Sequence, residues 1–382
     1  MTAKPFPEPG APALAVSDAL LGKIGQEIDA AGGWLGFERF MQMALYEPGL
    51  GYYSAGSLKL GEGGDFTTAP EASDWLAAAL AVFVAERLGA LGASRLLELG
   101  AGTGRLAGQL LDELAGRGRA DIDYAILEPS ADLRERQRAH LDTLGVSVRW
   151  LEGLPEPPFE GIVIANEVAD AIPVARFVRT GGAILPLGVV RAGAGLSIVP
   201  GPPDPVLGAA VAAIEAGLGA PLPEGYRSEV CLMLRPWLAG VFGPIAAGGL
   251  LLVDYGMSRR DYYRAERADG TLICHYRQRA HSDSLLWPGL QDISAWVDFS
   301  AVAAIAAEHG FSLAGFTTQA QFLLESIARD PVLASRRPGP EDAGGLKTLI
   351  LPGEMGEHFK LIWLTRGAAL GGLPGRDFRN RL

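Results

Sequence analysis

From Arg95 onward the chain alternates short apolar runs with helix-like runs, and few folds accommodate that grammar. "RLLEL" is followed by a glycine-rich turn and a helical stretch at about 104–117. Next come "DYAILEP", the helical "ADLRERQRAHLDTLG", a short strand in "VSVRWLE" and the apolar "GIVIAN". Such alternation specifies a parallel sheet with helices on both faces. The pattern resumes with a helix in "EVCLMLRPWLAGVFG" and a buried-type strand in "GLLLVDYG". A helix "SAVAAIAAEHG" and two strands, "FSLAGFTT" and "FKLIWLTR", finish it. With the last strand antiparallel, the sequence predicts an α/β, Rossmann-like sheet of seven strands. Ligands on such sheets bind beyond the carboxyl ends of the strands, where Gly100, Glu128 and Asn166-Glu167 all fall.

The turn after the first strand, "LLELGAGTGRLAGQLL", narrows the ligand. A glycine-rich strand-to-helix turn lets backbone N–H groups approach a ligand at the positive end of a helix. A phosphate loop would need Gly-Lys-Ser/Thr at its end, and no Lys lies between Lys59 and Lys347. A dinucleotide fingerprint can be drawn through Gly102, Gly104 and Ala107, with Glu128 standing 26 residues beyond Gly102. The nucleoside pocket of S-adenosylmethionine (SAM) methyltransferases can be drawn through Glu98, Gly100, Gly102 and Gly104 in unbroken register. Glu98 favours a sulfonium cation over an anionic pyrophosphate. The absence of a second mononucleotide half with its own glycine turn points the same way. A turn that binds nothing, and a nicotinamide dinucleotide, stay open as alternatives.

The remaining segments frame that sheet. Residues 1–90 are expected to hold a loose proline-bearing leader, a helical lobe and a lid segment. Residues 91–365 hold the sheet domain with insertions at about 176–226 and 256–300, the second folding over the sheet edge. Residues 366–382 form a loose tail. The 176–226 insertion reads as two β-like runs and a Pro/Gly-rich stretch. Net charge is −11, so a nucleic-acid backbone is an unfavourable partner, and no apolar run suits a membrane span. Two cysteines without spacing partners exclude a disulfide framework or a structural zinc site. The leader lacks an apolar stretch and has no Arg before Arg39, so a cytoplasmic location is expected over the mitochondrial matrix.

Several residues carry chemistry by type and place. Glu128, followed by Pro129 and a capping Ser130, can accept both hydroxyls of a ribose; its bland alternative is a surface Glu at a helix start. "ANEVADAIPV" gathers Asn166, Glu167 and Asp170 within one turn beyond the fourth strand, where they suit substrate contacts or, more plainly, a turn capped by Asn166 and a helix start fixed by Asp170. "GDFTTAPE" combines glycine freedom with Thr67 and Thr68, as a hinged lid would. Its Thr68 and Glu71 also fit a capping box that opens a helix running on through "WLAAALAVFVAERLG". His275, His281 and Asp283 suit an exposed loop, and Tyr52-Tyr53 and Tyr262-Tyr263 suit packing or an entry channel.

Taken in order, "ALYEPGLGYYS", "GDFTTAPE", "LLELGAGTGRLA", "ILEPSADLRERQ", "IVIANEVADAIPVARF", "LLLVDYG" and "GLQDISAWVDF" resemble the MidA family. These are SAM-dependent methyltransferases whose mitochondrial members assist assembly of respiratory complex I. The resemblance spans about residues 15–365. It implies a Rossmann-like methyltransferase fold with a helical lobe, SAM as cofactor, and methylation of arginine nitrogens on a protein substrate such as a complex I subunit. Gly100, Gly102 and Glu128 match the family's cofactor positions, with Glu98, Gly104, Pro129, Asn166, Thr67 and Thr68 expected around them. Asn166, Glu167 and Asp170 match its motif after strand four, and Glu167 and Asp170 are the candidate catalytic carboxylates. Ala169 departs from the bulky apolar residue expected there. An NAD(P)-dependent oxidoreductase and a non-catalytic assembly factor are the rival functions, and a homo-oligomer is compatible with the chain.

Overall fold

The computed structural model describes residues 7–54, 68–193 and 195–382, which form two compact units. The second unit, built from 68–170, Arg235–Ser258 and Val297–Leu382, carries the expected sheet. Its strands are β1 (Arg95–Leu99), β2 (Asp123–Leu127), β3 (Arg149–Leu151), β4 (Phe159–Asn166), β5 (Ile245–Met257), β6 (Ser312–Thr318) and β7 (Phe359–Arg366), in the order β6-β7-β5-β4-β1-β2-β3. β7 runs antiparallel to both β5 and β6, as the sequence predicts, and neighbours from β5 to β3 pair in parallel. An eighth strand of two residues, Val297–Asp298, continues alongside the end of β5. From β1 the chain moves outward to β2 and β3, then returns to β4 on the other flank of β1. The strand order therefore reverses between β1 and β4, which places the ligand crevice at their carboxyl ends.

Both faces of this sheet are covered, which is why its central strands are almost wholly apolar. Leu96, Leu97, Ile162, Ile164, Leu251 and Val253 are buried. The helix Trp75–Leu91 contributes Ala77, Ala78, Ala79, Leu80 and Ala81 to the same core, small side chains that suit a helix surrounded by protein. Helix Arg105–Gly116 adds Leu106, Leu110 and Leu114 at one-turn spacing. The helix expected to run on unbroken from a Thr68 cap is instead two, Ala69–Ala72 and Trp75–Leu91, and Thr68 makes no side-chain cap; the glycines and Thr67 of the expected lid lie outside the described residues. The tail is not loose. Phe378 N donates to Phe316 O at 2.7 Å and Thr317 Oγ1 donates to Arg376 O at 2.7 Å, so the tail shields the open side of edge strand β6. Between β6 and β7 lie four helices that the sequence does not separate by pattern, Gln319–Arg329, Pro331–Ser335, Pro340–Ile350 and Met355–His358.

The first unit gathers residues 7–54, Ala171–Leu234 and Arg259–Trp296. The helical lobe and both insertions, far apart in sequence, share one core that includes Leu20, Ile24, Phe40, Val189, Cys274 and Ile293. Helix Ala11–Ala30 takes in part of the segment expected to be a leader. A five-stranded antiparallel sheet joins Leu35–Gly36, Ala183–Ala192, Ala175–Thr180 and Arg227–Val230, with Gly195–Pro200 paired to Ala183–Ala192. The stretch read as Pro/Gly-rich is a helix, Pro205–Leu218, with Asp204 capping its start and Gly219 in the left-handed conformation at its end. Glu229 and Val230, read as the start of a helix, belong to a strand; the helix is Leu234–Phe242. Within the 256–300 excursion, Ile273–Tyr276, Arg279–His281 and Asp292–Ser294 build a three-stranded sheet in this unit. No helix among the described residues is long and apolar enough to cross a membrane.

Candidate functional site

The described candidates for cofactor binding and catalysis lie in the second unit, and all but Thr68 stand at or just beyond the carboxyl ends of β1, β2 and β4. Gly100, Gly102 and Gly104 have φ of 61°, 55° and 82°, a conformation that side chains with a Cβ rarely adopt, so each glycine is required by the turn itself. A Cβ on Gly100 would come 3.1 Å from Val168 Cγ2, and one on Gly104 would come 3.4 Å from the Gln137 backbone. The turn is thus pressed between the loop after β4 and the helix after β2. Helix Arg105–Gly116 starts directly from Gly104 without a side-chain cap, which leaves its first N–H groups for a ligand.

Three strand ends supply acceptors. Glu98 is buried and takes the hydroxyl of Tyr124, on the adjacent strand, at 2.8 Å. Burial pushes its pKa up to about 7, with the Tyr124 hydrogen bond opposing and the Glu128 carboxylate adding to the rise. Glu128 is also buried. Its Oε1 accepts Ser130 N at 3.0 Å and its Oε2 accepts Gln137 Nε2 at 3.2 Å. Its pKa is raised, chiefly by burial. Pro129 is exposed beside it, and Ser130 caps the next helix through Leu133 N as expected. Asn166, ending β4, donates to Glu167 Oε1 at 3.2 Å, while its own Oδ1 is buried with no partner.

The loop after β4 is held by a residue that the sequence motifs leave unmarked. Asp254, fully buried on β5, accepts three consecutive backbone donors on Oδ2: Val168 N at 3.2 Å, Ala169 N at 2.8 Å and Asp170 N at 3.3 Å. Its Oδ1 accepts Tyr255 N at 2.9 Å. Burial pushes Asp254 up to about 8, against the pull of these donors and with a further push from Glu167. Glu167 itself has a left-handed φ of 55°, strain of the kind that surrounding structure imposes at functional positions. Its Oε1 accepts Ala69 N at 3.1 Å. Asp170 is buried and Glu167 half-buried, so only Glu167 offers substantial surface to an incoming substrate. No helix follows Asp170, which removes its alternative role at a helix start.

Residues 68–72 bridge the two halves of this region. Glu71 was expected to complete a capping box; its Oε1 instead accepts Thr103 Oγ1 at 2.6 Å, and its Oε2 lies 3.5 Å from Arg105. Gln109 Nε2 donates to Pro70 O at 3.2 Å. The short helix is therefore fixed to the glycine turn on one side and, through Ala69, to Glu167 on the other. Thr67 lies outside the described residues.

The open acceptors define the ligand chemistry. An orphaned carboxamide oxygen and the carboxylates Glu98 and Glu128 seek donors, and SAM carries an ammonium, two ribose hydroxyls and an amino group around a sulfonium. A pyrophosphate would bring only acceptors. The model for S-adenosyl-L-methionine-dependent methyltransferases matches residues 79–317. The chain belongs to this family, the MidA-type SAM-dependent methyltransferases. A crystal structure from Burkholderia thailandensis bound to S-adenosyl-homocysteine is 40% identical, covers 97% of this chain and 99% of its own, and superposes with a TM-score of 0.87. Among curated relatives, the zebrafish Danio rerio "Protein arginine methyltransferase NDUFAF7, mitochondrial" is 28% identical over 93% of this chain and 89% of its own length. The human protein of the same name is 28% identical over 89% and 82%. SAM is the cofactor of this MidA-type enzyme, and the dinucleotide alternative is set aside.

The remaining candidates lie in the first unit. His275 stands opposite Asp292 across two strands, and His281 Nδ1 accepts Asp283 N at 3.3 Å. Tyr53 donates to Asp292 Oδ1 at 2.8 Å and packs edge-on against Tyr52. Tyr262 and Tyr263 are buried and donate to Glu229 Oε1 and the Glu229 carbonyl. Both tyrosine pairs serve packing.

Proposed function

We propose that this enzyme methylates arginine side chains of a protein substrate, with Glu167 as the carboxylate that meets the guanidinium. The observation that carries the assignment is a strained, half-buried Glu167 at the carboxyl end of β4, beside the glycine turn. A free guanidinium is protonated and its lone pairs are delocalised, which makes it a poor nucleophile. A carboxylate pairing with two of its nitrogens concentrates lone-pair character on the third and fixes its direction. Glu167 is already aimed by Ala69 N and Asn166, and Asp254 fixes the backbone around it. Glu98, Gly100, Gly102, Gly104, Glu128 and Asn166 hold the cofactor in this proposal. Bound SAM would supply a methyl group for direct displacement: the nitrogen–carbon bond forms as the carbon–sulfur bond breaks, S-adenosyl-homocysteine leaves, and the proton lost from nitrogen passes to water.

The arginine acceptor follows from the names of the curated relatives, and a respiratory complex I subunit is the first acceptor to test. The enzyme, methyl-labelled SAM and a lysate of the source cells are incubated together, and the labelled protein is hydrolysed. Methylarginine is the expected product. Label on another residue type would overturn the acceptor assignment, and SAM binding without any transfer would favour an assembly factor that holds its partner.

A further inference from the structure

We propose that Gln137 is the positioning residue that lets the cofactor site read both ribose hydroxyls. It rests on the assignment of Glu128 as the ribose acid. Helix Ala131–Leu144 is largely polar and exposed; Gln137 and Leu141 are the residues it buries among those described. Gln137 is completely buried in a line where Leu133 and Leu141 stand one turn away on either side, so an apolar residue would fit the packing. A buried amide is costly unless it is bonded. Here its Nε2 donates to Gly102 O at 3.1 Å and to Glu128 Oε2 at 3.2 Å, while its Oε1 accepts Trp150 Nε1 at 3.0 Å.

This one side chain therefore ties together the turn after β1, the acid after β2 and a residue of β3. The Trp150 N–H fixes which end of the amide faces the turn, because an indole nitrogen can only donate. Ser130 N and Gln137 Nε2 then occupy one lone pair on each oxygen of Glu128. A carboxylate oxygen accepts two hydrogen bonds, so each retains one for a ligand, a spacing that suits vicinal hydroxyls. Without Gln137, Glu128 keeps its charge but not its fixed orientation, and bidentate binding gives way to a single, averaged hydrogen bond.

The test is calorimetric titration of S-adenosyl-homocysteine and its 2′-deoxyribose analogue into the wild-type protein, Gln137→Met, Glu128→Gln and the double variant. The wild type should prefer the ribose ligand about 30-fold, the scale of a hydrogen bond to a charged group. Glu128→Gln should abolish most of that preference. Gln137→Met should cut it to about three-fold or less, and the double variant should match Glu128→Gln, because residues acting as one unit are not additive. Trp150→Phe, which keeps an aromatic ring but lacks the orienting donor, should cut the preference part-way even if Gln137→Met folds poorly. A wild-type preference in both Gln137→Met and Trp150→Phe, with Glu128→Gln flattened, would overturn the role of Gln137 and leave the ribose assignment standing. A wild-type preference in Glu128→Gln would overturn the ribose assignment and the inference with it.

Discussion

The turn after β1 and the loop after β4 meet at Gly100 and Val168, yet they are built by opposite means. The turn owes its shape to three glycines in left-handed backbone, a solution encoded locally. The loop has no glycine: a glutamate takes the left-handed position, and a buried carboxylate on a neighbouring strand gathers the three N–H groups that follow. A concavity of successive N–H groups holds its shape only while an acceptor closes it, here Asp254 Oδ2. The difference teaches a division of labour, in which the glycine side holds the nucleoside rigidly and the loop side aims a strained carboxylate.

The largest effect should come from breaking the glycine side. Gly102→Val puts a β-branched side chain at a φ of 55° and over the ligand's approach, so affinity for S-adenosyl-homocysteine should fall by more than about 100-fold by calorimetry. The circular dichroism spectrum should stay that of the folded protein. Next, Asp254→Asn leaves one acceptor oxygen for four donors and turns an amide N–H₂ toward backbone N–H groups. Methyl transfer should drop roughly 10- to 100-fold as the loop loses its anchor and Glu167 its aim, the scale of leaving buried backbone donors unsatisfied, while cofactor affinity stays within a few-fold. Equal losses in both would erase the division between the two sides.

A smaller effect sharpens the picture of Glu98. Its folded pKa, raised to about 7 from 4.5, means that the fold favours the protonated form. Stability from this group is therefore full below about 4.5, declines as pH rises toward 7, and is level above. The shift corresponds to roughly 3 kcal/mol across the window. Thermal melts of Glu98→Gln between pH 4.5 and 7.5 should show a flatter dependence than wild type, and identical slopes would remove Glu98 as the source.

What is legible in the sequence follows the same division. Gly100, Gly102 and Gly104 announce themselves because only glycine suits their backbone, and Glu128 is found by its place at a strand end. Asp254 escapes notice because its four partners are backbone groups, three of them from another segment, although an acid closing the apolar run "LLLVDYG" is a visible signal. Gln137 leaves a fainter one, a polar residue interrupting the Leu133–Leu141 stripe. Spacing alone gives Glu71 to a capping box, and the structure assigns it to Thr103 instead. The gathering of both insertions with the helical lobe depends on long-range pairing, such as Leu35 with Val189, that no local pattern carries.

The division of labour is tested most directly by the SAM dissociation constant of Glu167→Gln, measured by calorimetry on protein whose loss of methyl transfer has been established. Shape is kept and charge removed, so the account predicts an affinity within about three-fold of wild type alongside a roughly 10- to 100-fold loss of transfer. A dissociation constant that weakens in step with transfer would contradict it, and would make the loop after β4 part of the cofactor's grip.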